Sequence, residues 1–142
     1  MTEGIGHHAE IELDTERLRA NYHEIARRTG AGIKIIPAIK ADAYGFGAVE
    51  TAEVFERLGA FALFTGNVGE AIAVRAAGVR IPVIMFGAYL PEDLPFLLAQ
   101  GLVPTIYDRE FAVAASAAAA KSAMMLNCLG MRTSQRFSLL QS

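Results

Sequence analysis

Short runs of apolar residues recur along the chain at a steady spacing. They begin near Ile33, Ala60, Pro82 and Val103, so one run follows another roughly every 20–27 residues, the spacing of strands separated by helices. The first run, residues 33–39, is apolar on both faces and is therefore predicted to be a buried strand. The alternation predicts an α/β fold with about four to five β/α units around a parallel sheet.

The segments between these runs carry apolar residues at helical spacing and end at recognisable signals. Asn67 followed by Glu70 resembles a capping box, and Asp108 can cap the alanine-rich segment that follows it. Gly59 and Gly78 stand where helices would end. The predicted helices cover residues 47–58, 67–78, 91–101 and 108–121, and a short strand (9–14) with an amphipathic helix (15–28) precedes them.

The end of the first apolar run carries the chemistry of the chain. Residues 33–39 end on Lys40, and a turn of small residues with Tyr44, Gly45 and Gly47 follows. A lysine stem lying among isoleucine side chains is poorly hydrated, which favours the neutral amine that a Schiff base with an aldehyde requires. A phenol and backbone N–H groups just beyond a strand can bind phosphate. An amine for an aldehyde next to a phosphate site suggests pyridoxal phosphate.

The segment 38–47 resembles the cofactor-lysine motif of bacterial alanine racemases, usually K-A-D/N-A-Y-G-x-G. Lys40 and Tyr44 stand at the lysine and tyrosine of that motif, and Phe46 stands where many members carry histidine, a variation that we expect to be tolerated. A motif of this length in a strand–turn–helix context is specific. The resemblance extends over residues 9–121, including the runs 9–14 and 67–71.

The resemblance implies an isomerase that interconverts L-alanine and D-alanine on pyridoxal 5'-phosphate and so supplies D-alanine for the cell wall. Lys40 would be the catalytic base for the D-enantiomer and would also bind the cofactor, and Tyr44 would contact the cofactor phosphate. In this family the lysine lies at the mouth of the first strand of a (β/α)8 barrel, a fold that needs about 250 residues. The second base is a tyrosine that the partner subunit of a homodimer supplies.

The resemblance weakens where a fifth strand is due, near Met124. The family has a D-x-G-M-x-R run after this strand, whose arginine contacts the cofactor ring and the substrate carboxylate. Residues 127–133 lack the aspartate and have altered spacing. Arg132, or else Arg136, is the candidate for this substrate-binding role.

This break defines the predicted domains. Residues 1–126 would form the N-terminal portion of a barrel, residues 127–142 an atypical tail, and the C-terminal β-domain of the family would be absent. A frameshift or a premature end would explain both the altered motif and the missing half. We expect such a chain to be inactive as a racemase and to self-associate through open sheet edges.

Two other functions fit the same lysine. One is another lysine-dependent barrel enzyme on pyridoxal phosphate, either a broad-specificity amino-acid racemase or a decarboxylase. The turn around Tyr44 favours a racemase, because decarboxylases of this fold usually lack it. The other is a non-catalytic protein that binds the cofactor, although the small one-domain family that handles pyridoxal phosphate has a different lysine motif.

Composition mainly excludes functions. Although 53% of the residues are hydrophobic, no run approaches the roughly 18 apolar residues of a membrane span. A formal charge of −2 gives no basic patch for nucleic acid. Cys128 is a single cysteine and the N-terminus lacks the blocks of a signal peptide, so a cytoplasmic location is expected. His7 and His8 have no third ligand at suitable spacing, so no metal site is predicted.

Overall fold

The computed structural model describes residues 12–87, 89–121 and 129–130, the last two by their backbone alone. The chain divides into two compact units, Met1–Ile33 and Lys34–Ser142. In the first unit α1 (Thr15–Thr29) begins where the Asp14 side chain accepts a 3.0 Å hydrogen bond from the Arg17 amide, as an N-cap does. The helix predicted over residues 15–28 is therefore confirmed.

Within its described residues the second unit contains a parallel sheet of four strands in the order β1-β2-β3-β4. The strands are β1 (Leu63–Thr65), β2 (Val83–Met85), β3 (Leu102–Ile106) and β4 (Leu129–Gly130). Leu63 pairs with Val83, and Val83 in turn pairs with Leu102, so neighbouring strands are also consecutive in the sequence. The α/β alternation with a parallel sheet is confirmed.

Helices connect these strands, and the predicted signals end them. They are α2 (Lys40–Gly45), α3 (Ala48–Arg57), α4 (Val68–Ala76), a 3₁₀ turn (Pro91–Asp93) leading into α5 (Leu94–Ala99), and α6 (Arg109–Lys121). The Asp108 side chain accepts from the Phe111 amide at 2.7 Å, and Gly59 and Gly78 have φ of 77° and 94° just beyond α3 and α4. None of the helices in the described ranges is long and apolar enough to cross a membrane.

The core of the second unit lies between the sheet and these helices. Its largest fully buried side chains come from the strands, from α4 and α5 and from the segments beside them. They include Ile39, Leu63, Met85, Leu94 and Leu97. Burial of such side chains is the main favourable term in folding a domain of this kind.

The strand predicted over residues 33–39 is wrong in its extent and in its burial. Only Ala38 forms a β-bridge, with Phe64 of β1, and Ile33 and Ile36 are exposed. Pro37 explains the short pairing, because proline has no N–H to donate to a continuing ladder. Its carbonyl still accepts from the Phe64 amide at 3.0 Å, so residues 35–39 lie alongside β1 as an irregular edge segment.

The described residues at the end of the sheet do not test the fifth strand predicted near Met124 or the predicted domains. The strand expected near Met124 lies outside the described residues, and the described strand is Leu129–Gly130, where Thr105 pairs with Leu129. The predicted strand at residues 9–14 falls mostly outside the described ranges, and residues 12–14 form no strand. The division of the chain at residue 126 stays a prediction.

Candidate active site

Lys40 follows directly on a buried residue at the carboxyl end of the edge segment. Ile39 is fully buried, and its N–H donates a 2.9 Å hydrogen bond to the Phe64 carbonyl. This bond fixes the backbone at the point where Lys40 leaves the sheet, at the edge where α/β barrels carry their sites. Lys40 is exposed, and Ile36 is exposed as well, so the predicted poor hydration of the lysine among isoleucines is wrong.

The element α2, which begins at Lys40, is not an ordinary helix: the residues after Lys40 form a left-handed turn. Ala41, Asp42, Ala43 and Tyr44 have φ between 52° and 59°. Residues other than glycine avoid this region, at a cost of about 1–2 kcal/mol each, so the turn requires roughly 4–8 kcal/mol of compensation from its surroundings. Backbone strain next to a chemically reactive residue is typical of a functional site.

Hydrogen bonds within the turn and to the next helix supply part of that compensation. The Ala43 amide donates to the Ile39 carbonyl at 2.9 Å, and the Gly47 amide donates to the Asp42 carbonyl at 3.0 Å. The Asp42 side chain accepts a 2.7 Å hydrogen bond from the amide of Ala48, the first residue of α3. Asp42 therefore links the turn to the N-terminus of the next helix.

A second acidic side chain approaches the turn from α4. Oε1 of Glu70 accepts a 2.8 Å hydrogen bond from the Asp42 amide, and Oε2 accepts the hydroxyl of Thr65, a fully buried residue at the end of β1. Asn67 caps α4 as predicted, by accepting from the Glu70 amide at 3.2 Å. The reciprocal half of the predicted capping box is wrong, because the Asn67 amide donates to Thr65 Oγ1 at 3.1 Å instead of to Glu70.

Tyr44 stands on the same turn as Lys40 and beside it. The Lys40 Nζ lies 5.8 Å from the centre of the Tyr44 ring, and the tyrosine is 61% exposed. The turn thus presents one primary amine and one phenol to solvent at the carboxyl edge of the sheet. This pair can supply a nucleophile or base together with a hydrogen-bond donor.

An open apolar hollow lies on the sheet. It has a volume of about 210 Å³ and is lined by Ile36, Phe64, Ile84 and Phe86. Phe64 and Ile84 are register partners on β1 and β2, and the Phe64 and Phe86 rings meet edge-to-face with centroids 5.5 Å apart. The described residues of this lining are all apolar, so the hollow offers surface for packing.

The structure thus brings together two of the three predicted site residues, Lys40 and Tyr44. Arg132 lies outside the described residues, as do Arg136 and the pair His7 and His8, so these predictions stay predictions. Sequence reasoning missed the roles of Thr65 and Glu70. The capping pattern identified Glu70 as a helix-start residue, but nothing in that pattern reveals that its carboxylate reaches a turn 28 residues earlier in the chain.

Comparison with known proteins identifies the family of this fold and motif. The family model described as "Alanine racemase, N-terminal domain" matches residues 13–133. The chain belongs to this family. It is 38% identical over 103 residues to the alanine racemase of Carboxydothermus hydrogenoformans, covering 72% of the chain and 28% of that protein. It is 31% identical over 117 residues to the alanine racemase of Levilactobacillus brevis, covering 82% of the chain and 31% of that protein.

Solved structures of alanine racemases share the fold. The alanine racemase of Clostridium difficile 630, in complex with cycloserine, superposes with a TM-score of 0.74 at 27% identity, over 82% of this chain and 31% of that one. A histidine racemase from Leuconostoc mesenteroides has a TM-score of 0.71 at 22% identity, a likeness in fold alone. The α/β unit is therefore a portion of the alanine racemase N-terminal barrel domain, as the sequence predicted.

The chain spans 28% to 31% of the length of these two relatives. Within the matched portion lie the left-handed turn, its lysine and tyrosine, and the Asp42, Thr65 and Glu70 contacts that hold it. The alanine racemase motif and the strained turn therefore coincide in one small region of the fold, at the carboxyl edge of the sheet.

Proposed function

We propose that this chain contributes the cofactor-lysine portion of an alanine racemase active site, with Lys40 as the attachment point and base. The observation that carries the proposal is the exposed Lys40 amine, which leaves the sheet beside Tyr44 on a strained left-handed turn. Its support from relatives is the match of residues 13–133 to the alanine racemase N-terminal domain.

The side chains present fit pyridoxal 5'-phosphate. An accessible amine suits the aldehyde of the cofactor, and the adjacent exposed phenol is a donor suited to its phosphate. When bound, the cofactor supplies an electron sink for the deprotonated substrate carbon. Lys40 would then hold or move the proton at that carbon from one face, and Tyr44 would orient the phosphate.

The remaining features come from the family and are part of the same proposal. Alanine is the proposed substrate, Arg132 would bind its carboxylate, and a tyrosine from the partner subunit of a homodimer would be the second base. Racemisation needs both bases, and each contributes about 10²–10⁴-fold by acid–base catalysis. A polypeptide of these 142 residues alone is therefore proposed to be inactive in a coupled alanine racemase assay. The proposed cellular role is supply of D-alanine for the cell wall in the cytoplasm.

Borohydride reduction after incubation with pyridoxal phosphate tests the proposal, followed by peptide mapping of the pyridoxyl adduct. Lys34 is the internal control, because it is also exposed and its Nζ also lies over an aromatic ring, 3.9 Å from the centre of Phe61. We expect the adduct on Lys40 in the wild type and in Lys34→Arg, and its loss in Lys40→Arg. Equal labelling of Lys34 and Lys40 would overturn the proposal, because it would show that no cofactor site distinguishes them.

A further inference from the structure

We propose that Glu70 is a positioning residue for the site, one that keeps the left-handed turn in the geometry that presents Lys40 and Tyr44. The inference rests on the proposed function for its consequence at Lys40. The contact from which it is inferred does not depend on a cofactor: the Glu70 carboxylate joins the turn to the end of β1.

The geometry assigns one carboxylate oxygen to each partner. Oε1 accepts the Asp42 amide at 2.8 Å, and Oε2 accepts the Thr65 hydroxyl. Thr65 is fully buried at the end of β1, so its hydroxyl gives the carboxylate a fixed anchor in the sheet. The amide of Asp42 is thereby held relative to the sheet edge from which Lys40 emerges.

The position of Asp42 within the turn makes this contact effective. Asp42 has φ of 54° and lies two residues after Lys40 and two residues before Tyr44. A left-handed residue returns to an ordinary conformation unless its surroundings hold it. Loss of the bond at Asp42 would let the middle of the turn relax, and both side chains would then move relative to the sheet.

The electrostatic setting favours a carboxylate at both ends of this link. Glu70 lies in the first turn of α4, and the Asp42 carboxylate meets the first amide of α3. Each negative charge therefore sits at the positive end of a helix dipole, which stabilises it. Hydrogen bonds from N–H or O–H groups to a carboxylate are about twice as strong as those between neutral groups.

Glu70 is not simply part of the cap of its own helix. Asn67 provides that cap by itself, and the Asn67 amide is satisfied by Thr65 Oγ1. Among the described contacts of the Glu70 carboxylate, neither goes to its own helix; one goes to the turn and the other to the strand. The carboxylate is therefore directed toward the site.

Amide hydrogen exchange by NMR on the unliganded full chain tests the contact between Glu70 and Asp42. In Glu70→Ala the Asp42 amide should exchange about 10- to 100-fold faster than in the wild type, as expected for loss of a hydrogen bond to a charged group. Glu70→Gln keeps an acceptor oxygen and should show a smaller acceleration. The Leu63 amide, bonded to the Pro82 carbonyl at 2.8 Å, reports whether the sheet is intact, and Glu53→Ala is the control for loss of an exposed helical carboxylate.

The same variants, labelled with pyridoxal phosphate and borohydride, give the readout at the site. With the Leu63 amide unchanged, Glu70→Ala should lower the ratio of Lys40 to Lys34 labelling about tenfold, and Glu70→Gln should largely restore it. The unchanged Leu63 amide excludes unfolding of the sheet as the cause of a lower ratio. Unchanged exchange at Asp42 in Glu70→Ala would overturn the inference; if that variant does not fold, Glu70→Asp, whose side chain is one methylene too short to reach both partners, takes its place in the same test.

The two proposals fail separately. If the wild type shows no preference for Lys40 over Lys34, the proposed function fails, while exchange at Asp42 still decides whether Glu70 holds the turn. If the wild type prefers Lys40 and Glu70→Ala keeps that preference, the cofactor site stands and the positioning role of Glu70 is wrong.

Discussion

One carboxylate oxygen of Glu56 accepts a 2.6 Å hydrogen bond from the backbone amide of Arg80. The same Oε1 accepts the Ile81 amide at 3.0 Å. The contact joins α3 to the loop before β2, two segments separated by a full strand–helix unit. Because loops leave backbone amides without helical or sheet partners, one side chain that satisfies two of them has a disproportionate effect on the fold.

We predict that Glu56→Ala lowers the free energy of unfolding by about 1–3 kcal/mol near neutral pH, as loss of hydrogen bonds to a charged acceptor does. The Arg80 amide holds the pKa of Glu56 below its ordinary value of 4.5. A lowered folded-state pKa stabilises the fold above the ordinary value, and this contribution is lost as the pH falls through the folded-state value. In urea unfolding, the difference in free energy of unfolding between wild type and Glu56→Ala should therefore become smaller as the pH is lowered.

Glu53→Ala is the matched control for Glu56→Ala. Glu53 lies on the same helix, one turn from the end, and pairs at 3.7 Å with the exposed Arg57. Such exposed pairs contribute at most about 0.5 kcal/mol. Equal losses in the two variants would contradict a special role for the Glu56 contact.

Tyr89 is buried, and its hydroxyl has no hydrogen-bond partner among the described residues. Removal of an unsatisfied hydroxyl is nearly neutral or stabilising, so Tyr89→Phe should change the free energy of unfolding by less than about 1 kcal/mol, in the stabilising direction. Thermal or urea unfolding at neutral pH measures this. A loss of more than that would indicate a partner for the hydroxyl that lies outside the described part of the chain.

The same substitution has a pH signature. Burial raises the pKa of Tyr89 to about 12, above its ordinary value of 10.0. A raised folded-state pKa means that the neutral phenol stabilises the fold fully below pH 10 and that this contribution is lost as the pH rises toward 12. The wild type should therefore lose more stability over this range than Tyr89→Phe does, and parallel curves would contradict the raised pKa.

An alanine-to-glycine substitution usually destabilises a protein, but in the left-handed turn it should stabilise the fold. Ala41 is exposed and has φ of 53°, so Ala41→Gly should raise the free energy of unfolding by about 0.5–1 kcal/mol, because the strain at that residue exceeds the entropy cost of glycine. Ala117, exposed within α6, provides the control, since Ala117→Gly should cost about 1 kcal/mol. Destabilisation by both substitutions would argue against the left-handed conformation in solution.

The sequence was sufficient for the repeat and for the chemistry-bearing lysine because both depend on local patterns. Apolar runs at regular spacing predicted β1, β2 and β3, and the capping side chains of Asn67 and Asp108 are those observed. The ten residues from Ala38 to Gly47 carry Lys40 and Tyr44 together, so their proximity follows from chain connectivity alone.

What the sequence missed depends on tertiary contacts and on one proline. The burial predicted for residues 33–39 assumed a continuous strand, but Pro37 interrupts the ladder and Ile36 lies on an open face. The turn after Lys40 was expected, yet its left-handed conformation was not, because alanine and tyrosine have no intrinsic preference for it. The hydrogen bond from the Asp42 amide to Glu70 joins residues 28 positions apart, and no local pattern encodes it.

The apolar hollow predicts how a polypeptide of these 142 residues behaves in solution. Its lining side chains include Ile36 and Phe86, which are 38% and 46% exposed, and the described lining is apolar throughout. Exposed contiguous apolar surface of this kind drives association, and an irregular edge at residues 35–39 adds unpaired backbone groups. We therefore expect self-association that increases with concentration, measured as a rising weight-average sedimentation coefficient.

Two matched substitutions test whether self-association depends on the hollow or on exposed apolar side chains in general. Phe86→Ser removes an aromatic side chain from the hollow, whereas Phe96→Ser removes one of similar exposure, 48%, from α5. If copies associate through the hollow, Phe86→Ser should shift the sedimentation profile toward monomer and Phe96→Ser should leave it unchanged. Equal effects of the two substitutions would mean that association follows overall apolar exposure, and a wild type that stays monomeric at all concentrations would show that this face is compatible with solvent.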